Sequence, residues 1–592
     1  MPLKTLFDVL TKSDGKVYVR ADQNIYRKAK SVVRLGNTIS KLLSHSKEIQ
    51  LRTNYAADEE NHIFFKHLDF EYEERGLGYH FFTYMRKHNH KIAQYIADTE
   101  KEDTYEEILE RCVRVALHLN NRNLTKEDVI LICSNNNQFT VVAYISSLFL
   151  NVIISTLHPT LSILEFNYLL KEIKPKIIFV IPEVVDKIET SLQNEGIETE
   201  IIVIGESDKY TPFSSFLKPH PDEDSFEPKQ VDNIFDTAVI LMSSGTTGFP
   251  KGIMLSHYAI MSQAANLIHT NNINRVYLSY ASFHWITRIM SLTALYKIGA
   301  ANVMVSKFDP HECWRLLDKY KVTDLFPPPY AAISLAKTGR PENIDTSNLL
   351  TFSIAGAPIP KAYFFKLREL VPGTVVSQTY GQTEIAGSAT WIDVKNVKQT
   401  LCLHNKPNSV GMLLPNIMCK VVNVDTGKTC GPNEQGELRL KTKSIMNGFY
   451  KRDCTESFDS NGWFKTGDIV YYDIDSCFYI VDRIKELLKY KLWHISPAML
   501  EEIIVNHPAV SQVVVIGKPH DEDGDHLMAV IIPNESYLGN IDENDIINFV
   551  EERVPDRMKL RGGIKIVNSF PMTPSGKIKR VELKHMILKG EN

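Results

Sequence analysis

With 592 residues, 43% of them hydrophobic and 23% charged, the chain has the make-up of a globular protein of more than one domain, able to bury several cores. A net charge of −4 and a pI of about 6.6 set up no field for a polyanion, so nucleic acid is not an expected partner. The eight cysteines (Cys112, Cys133, Cys313, Cys402, Cys419, Cys430, Cys454 and Cys477) are scattered with no CxxC pair, which points to free thiols in a reducing compartment and against a zinc site or a disulfide framework.

Residues 1–55 read as a solvated N-terminal extension. The stretch is basic, but Asp8, Asp14, Asp22 and Glu48 count against a mitochondrial presequence, and it lacks the apolar core of a secretory signal. The sequence ends Lys589-Gly590-Glu591-Asn592 rather than in the Ser-Lys-Leu of a peroxisomal address. The cytoplasm is the expected compartment, with the peroxisome and the mitochondrion as the alternatives. The most apolar stretch, 141–157, is short for a bilayer span and carries Ser146, Ser147, Asn151 and Ser155, so it reads as a buried helix leading into a strand. No transmembrane segment is expected, and peripheral membrane contact is compatible with a greasy substrate.

Residues 104–119 read as an amphipathic helix: Tyr105, Ile108, Leu109, Cys112, Val115, Ala116 and Leu119 share one face, and Thr104 with Glu107 spells a capping box. Strands at 129–133, 152–156, 176–181 and 200–204 then alternate with helices at 139–150 and 163–173. That order predicts a parallel sheet covered on both faces. A loop at 218–229 precedes one more buried strand at 238–242. The composition turns charged near 482–491, and from Val513 onward the order reads strand, acidic turn, strand, helix, strand. The expected fold class is α/β. The boundaries expected are an extension over 1–55, a large N-terminal domain over 56–484 and a small α+β lid over 485–592.

The strand at 238–242 runs into Ser243-Ser244-Gly245-Thr246-Thr247-Gly248-Phe249-Pro250-Lys251-Gly252. Glycines and small hydroxyl residues let the backbone turn tightly and aim N–H groups outward, a nest that, with one lysine, suits a polyphosphate. It is not a Walker A loop, because Gly252 follows Lys251 where that motif has Ser or Thr. Further along stand Gly356-Ala357-Pro358, Tyr380-Gly381-Gln382-Thr383-Glu384, Trp463-Phe464-Lys465-Thr466-Gly467-Asp468, Val481-Asp482-Arg483-Ile484-Lys485-Glu486 and Pro574-Ser575-Gly576-Lys577-Ile578. Taken singly, these are turns, charged faces and a surface lysine.

Together and in this order they resemble the motifs of the adenylate-forming superfamily (acyl-CoA synthetases, coumarate–CoA ligases, firefly luciferases and peptide-synthetase adenylation domains), with the coumarate–CoA ligase and luciferase branch matching best from about residue 56 to the end. The resemblance implies a large N-terminal domain of parallel α/β sheets with a distorted β-barrel, and a mobile C-terminal lid. It implies ATP, Mg²⁺ and CoA as cofactors and a carboxylic acid, such as a fatty acid, as substrate. By the same resemblance the Ser243–Lys251 loop holds the departing pyrophosphate, Gly356, Ala357 and Pro358 flank the adenine and acyl pockets, and Tyr380 lies near adenine beside Gly381. Thr383 contacts the α-phosphate, Glu384 binds Mg²⁺, and Asp468 takes the ribose hydroxyls with Arg483 beside it. Lys485 is the pivot of a lid rotation, Lys577 is the catalytic lysine of adenylation, and Lys489 serves the thiol step.

Two segments depart from that pattern. Leu492 stands where CoA ligases have a glycine, and a branched side chain there narrows a thiol channel. In Ser282-Phe283-His284-Trp285-Ile286-Thr287-Arg288, His284 matches the gating histidine, but the residues after it differ from those of luciferases, as does Gln263 where luciferases have an arginine. Light emission is therefore not expected. Arg288 either points away or meets a polar acyl tail. The run His520-Asp521-Glu522-Asp523-Gly524-Asp525-His526 lacks EF-hand spacing and reads as a solvated turn. The leading expectation is an acid–thiol ligase that makes an acyl-adenylate and passes the acyl group to CoA. The alternatives are an adenylating enzyme impaired in the CoA step by Leu492, and a non-catalytic relative that binds nucleotide or acyl ligand. Oligomeric state is not legible.

Overall fold

Apolar strands of four or five residues, each followed by a helix with one greasy face, have one stable solution: a parallel sheet between helical layers. A computed structural model, which describes residues 10–13, 16–19, 56–58, 62–243, 250–270, 273–491, 493–573 and 578–590, shows that solution twice. The first sheet runs Thr211–Pro212, Glu200–Val203, Ile177–Val180, Val129–Cys133, Ile153–Leu157, Thr237–Ser243, Lys251–Ser256, Gly448–Phe449, and is parallel up to Thr237–Ser243. The second runs Val375–Gln378, Thr351–Ile354, Asp324–Phe326, Val276–Ser279, Ala301–Met304, Ile92–Ile96, Lys101–Thr104, and is parallel except at its last pair.

Helix Tyr105–Asn120 starts on the Thr104–Glu107 capping box, with Tyr105, Ile108, Cys112, Val115, Ala116 and Leu119 buried. The stretch at 141–157 is a buried helix, Thr140–Phe149, followed by strand Ile153–Leu157. Among the described residues no helix is long and apolar enough to cross a membrane. A six-stranded sheet, Phe478–Arg483, Phe464–Tyr472, Gly436–Thr442, Ile417–Val422, Ile63–Phe65, Ala56–Asp58, stands where a distorted barrel was expected; its described pairings are antiparallel and do not close.

After Arg483 the chain leaves that sheet through a single helical turn, Ile484–Glu486, and Leu488–Tyr490 joins a separate C-terminal sheet. That sheet is built on the long hairpin Val510–His520 and Gly524–Pro533, with Gly563–Ile566 added in parallel. It has its own core, including Leu500, Ile504, Val515, Leu527, Ile531 and Val550. The protein is thus a large N-terminal α/β domain followed by a smaller C-terminal one.

Two buried histidines make this core acid-sensitive. His257 accepts the Leu77 N–H on Nδ1 at 3.1 Å, and His80 bonds the Thr293 carbonyl at 3.0 Å. Burial lowers both to a pKa of about 4. Below pH ~6.5 the unfolded chain takes up protons that the folded chain refuses until about pH 4, so stability is fully present above ~6.5 and is lost as pH falls through this window. Each histidine contributes on the order of 2–3 kcal/mol to that loss. Thermal melting is expected to drop from pH 7 to pH 5, less steeply in His80→Gln; an unchanged slope contradicts the assignment.

Candidate active site

Ligands of open α/β sheets gather where loops leave the carboxyl ends of the strands. At one such end, Ser243 finishes its strand and pairs with Lys251 on the returning antiparallel strand, with the Ser243 hydroxyl donating to the Lys251 carbonyl at 3.5 Å. The structure thus closes the two ends of the Ser243–Lys251 loop; Ser244, Gly245, Thr246, Thr247 and Gly248 lie outside the described residues. The Lys251 ammonium sits 5.1 Å from the Phe449 ring centroid. Gly252 is required here, because a Cβ would meet Ile240 at 2.9 Å and Tyr450 at 3.1 Å.

The second sheet supplies the neighbouring loops. Strands Thr351–Ile354 and Val375–Gln378 are parallel partners with Ile354 opposite Gln378, so Gly356-Ala357-Pro358 and Tyr380-Gly381 leave the same edge. Gly356 takes φ 99°, a backbone region that favours glycine, and all three residues of its turn are exposed. After Tyr380–Gln382 the chain makes a helical turn, Thr383–Ile385. The Glu384 carbonyl accepts the Met446 N–H at 2.7 Å, and two residues on, Gly448–Phe449 pairs with Ile253 and Met254. Residues 446–449 therefore tie the Glu384 turn to the strand that begins at Lys251. Gln263, fully buried, donates to the Ile385 carbonyl at 3.0 Å and so fixes the same turn from behind.

The tightest cluster surrounds Asp468, which is 3% exposed and faces Arg483 across an antiparallel pair. Its Oδ2 accepts the Tyr380 hydroxyl at 2.6 Å and the Gln382 amide at 2.5 Å, while Oδ1 accepts Arg483 Nε at 3.1 Å. Gln382 also donates to the Thr466 carbonyl at 3.0 Å. Burial, then the Asp468 charge, pushes the Tyr380 phenol well above its usual range, so it stays a donor. Burial works against the Arg483 charge, but Asp468 and Glu486 hold its pKa above the ordinary arginine value. Tyr380 and Asp468, which the resemblance sends to adenine and to ribose, are here bonded to each other. Gln382 had no assigned role in the sequence; the signal that could have found it is its place two residues beyond Tyr380 on one short strand, hence on the same face.

On the acid side, the His284 ring lies 2.8 Å from the Ser282 hydroxyl and stands edge-on to His158 at 4.4 Å. Burial first, and His158 second, hold its pKa well below the usual value, so it is neutral at physiological pH. Arg288 neither points to solvent nor sits free. It is 2% exposed, donates from Nη1 to Asn302 Oδ1 at 2.8 Å and lies over the Phe283 ring at 5.2 Å. Burial lowers its pKa to about 10, which leaves it a cation at neutral pH.

On the lid, Asp482 is buried and accepts the Ser496 hydroxyl at 2.5 Å and the Ala498 N–H at 3.3 Å, which anchors the hinge motif to the start of helix Pro497–Ile504. Lys485 is exposed on the connecting turn. Lys489 is exposed on strand Leu488–Tyr490, and its N–H donates to Asp525 Oδ2 at 3.1 Å. Lys577 and Leu492 lie outside the described residues.

Residues 81–450 match the AMP-binding enzyme family, and residues 499–577 the AMP-binding enzyme C-terminal domain. The chain is 31% identical to 4-coumarate–CoA ligase-like 9 of Arabidopsis thaliana over 517 residues, covering 85% of this chain and 88% of that one. It is 30% identical to luciferin 4-monooxygenase of Photinus pyralis over 511 residues, covering 84% and 91%. Among solved structures, the luciferase-like enzyme from the nonluminescent Zophobas morio mealworm superposes with a TM-score of 0.68 at 34% identity, covering 72% of this chain and 99% of that one. The chain belongs to the AMP-binding enzyme family, on the branch of the adenylate-forming superfamily shared by coumarate–CoA ligase-like and luciferase-like proteins, a family whose enzymes use ATP and CoA, and is an acid–thiol ligase.

Proposed function

We propose that the protein activates a fatty acid as its acyl-adenylate and then transfers the acyl group to CoA. An acid oxygen attacks the α-phosphorus of ATP, the bond to pyrophosphate breaks, and the CoA sulfur later displaces AMP from the acyl carbon. A carboxylate and ATP are both anions, so binding must align them and offset charge at the α-phosphate. Thr383 and Lys577 serve that offset, the Ser243–Lys251 loop receives pyrophosphate, and Gly356, Ala357, Pro358 and Tyr380 frame the adenosine. Asp468 receives the ribose hydroxyls. Lys485 is the pivot for the lid, and Lys489 serves the thiol step.

The observation that carries this reading is the Asp468 cluster beside the loop edge that holds Gly356 and Tyr380. Its carboxylate is already satisfied by an O–H and an N–H donor, so two ribose hydroxyls can replace Tyr380 and Gln382 without leaving a buried charge bare. Glu384 suits Mg²⁺: it is a hard oxygen donor on the turn tied to Lys251, and with phosphate oxygens it makes the ligand set this ion prefers. When bound, the ion supplies charge neutralisation on the phosphates. A fatty acid is supported by the acid-side segment, whose one fixed charge, Arg288, is engaged with Asn302 in the core.

The test is exchange of labelled pyrophosphate into ATP with a panel of acids, followed by a CoA step on the purified adenylate. Exchange confined to medium or long fatty acids is the expected result; no exchange with any acid leaves only a binding role. Leu492 favours a second reading, an adenylating enzyme slow in the CoA step. On that reading Leu492→Gly speeds the CoA step alone, whereas on the first it does not.

A further inference from the structure

The acidic turn at 520–526 brings three side chains of metal-ligating type together. His520 and His526 sit on opposite strands of the long hairpin, with His520 opposite Gly524 and Lys518 opposite His526, which puts both imidazoles on one face. Their rings stack at 3.9 Å, 15° from parallel. Asp523 lies at the edge of this stack, its Oδ2 2.9 Å from His526 Nε2 and 3.8 Å from His520 Nδ1. These three groups converge, one ligand atom of each lying within 4.8 Å of the others. A tetrahedral ion with bonds of about 2.0–2.1 Å holds its donor atoms roughly 3.3 Å apart, a separation bracketed by the distances from Asp523.

We propose that His520, Asp523 and His526 bind a borderline divalent cation, Zn²⁺ being the best match, at a site separate from the ATP-associated Mg²⁺. Two imidazoles and one carboxylate are the donor set of such ions, whereas Mg²⁺ and Ca²⁺ prefer oxygen alone. Asp523 Oδ2 faces the histidines, and Oδ1 stays with Lys491 Nζ at 3.7 Å. His520 is exposed, which leaves a coordination position open to water.

The site is welded to the strand that carries Lys489. Tyr490 pairs with Gly524, the Lys491 N–H donates to the Asp523 carbonyl at 2.6 Å, and the Lys489 N–H donates to Asp525. Gly524 takes φ 87°, and a Cβ there would meet the Lys489 carbonyl at 2.5 Å. A bound ion that tightens the turn therefore fixes the strand Leu488–Tyr490. Resting on the functional reading above, it acts on the CoA step and spares adenylation.

After chelation, the full chain titrated calorimetrically with Zn²⁺ is expected to bind one equivalent saturably, and Co²⁺ in its place to give visible d–d bands. His520→Ala/His526→Ala is expected to weaken that binding at least about tenfold with unchanged thermal melting, and Asp523→Asn, which keeps both imidazoles, to weaken it as well. Equal affinity in the wild type and the double variant overturns the site, as does the absence of saturable binding. Zn²⁺ is expected to slow the CoA step in the wild type and not in the double variant, with pyrophosphate exchange unmoved in both. Binding without that difference overturns the coupling to the strand. If no acid supports exchange, the functional reading fails while the calorimetry still decides the site.

Discussion

Lys577→Ala is expected to lower acid-dependent pyrophosphate release by about 10²–10³-fold while ATP affinity changes little. The reason lies in when charge develops. On the proposed reading the loop, its lysine and Mg²⁺ already neutralise the ground-state triphosphate, so one more cation adds little to binding. As the acid oxygen closes on the α-phosphorus, negative charge gathers between two anions, and a lysine brought to that point stabilises what exists only in the transition state. Lys577 follows Ser575-Gly576, and a glycine at that place in the sequence permits a tight turn. Single-turnover pyrophosphate release and calorimetric ATP binding separate the two effects. Lys577→Arg keeps the charge but spreads it over a planar fork, so it recovers only part of the rate. CoA transfer from supplied acyl-adenylate is expected to persist in the alanine variant. Wild-type pyrophosphate release in that variant removes Lys577 from the chemistry.

Asp468→Ala is expected to harm both stability and nucleotide use. Asp468 is the shared acceptor of Tyr380, Gln382 and Arg483, so its removal takes that acceptor from a buried hydroxyl and a guanidinium, while the Gln382 amide keeps the Thr466 carbonyl. Breaking a buried charged contact in this way costs about 3–5 kcal/mol, which is reduced here because the Arg483 side chain is 45% exposed. Asp468→Asn keeps the volume and one acceptor oxygen, so it is expected to melt closer to the wild type. Both variants are expected to raise the KM for ATP, on the order of tenfold or more, because a carboxylate accepts from two adjacent hydroxyls better than an amide does. The sharper test is 2′-deoxy-ATP: the wild type should disfavour it, and Asp468→Asn should narrow the gap. If Asp468→Asn melts lower yet treats ATP and 2′-deoxy-ATP as the wild type does, Asp468 is a brace and not the ribose anchor.

Individual elements show how far the sequence could be read. The Thr104–Glu107 box and the apolar period behind it placed helix Tyr105–Asn120, because the signal is contained within one turn. The same kind of local pattern predicts helix Ile163–Ile173 with its bounds. Helix Arg580–Lys589 carries no such local pattern. Only Leu583 of its residues is buried, so it has no periodic stripe to announce it. In the candidate site the motifs named Tyr380 and Asp468 but gave them separate partners, and Gln382 went without a role. Arg288 was left between two environments until its hydrogen bond to Asn302 put it in the core. Cys402 and Cys477, expected as scattered thiols, are free but lie 3.4 Å apart, with Lys406 Nζ 3.8 Å from the Cys477 sulfur.

By itself the sequence determined the alternation of strands and helices, the glycine- and hydroxyl-rich turn after a buried strand, and the family to which those motifs belong. These depend on neighbours along the chain: a side-chain period, a cap three residues away, a run of small residues that permits a tight turn. Only the tertiary structure decided which side chains share a proton or a charge. The meeting of Tyr380 with Asp468, the burial of Arg288 beside Asn302, and the convergence of His520, Asp523 and His526 against the Lys489 strand depend on strand pairing and rotamers. Those are set by packing among residues distant in sequence, and no local propensity encodes them.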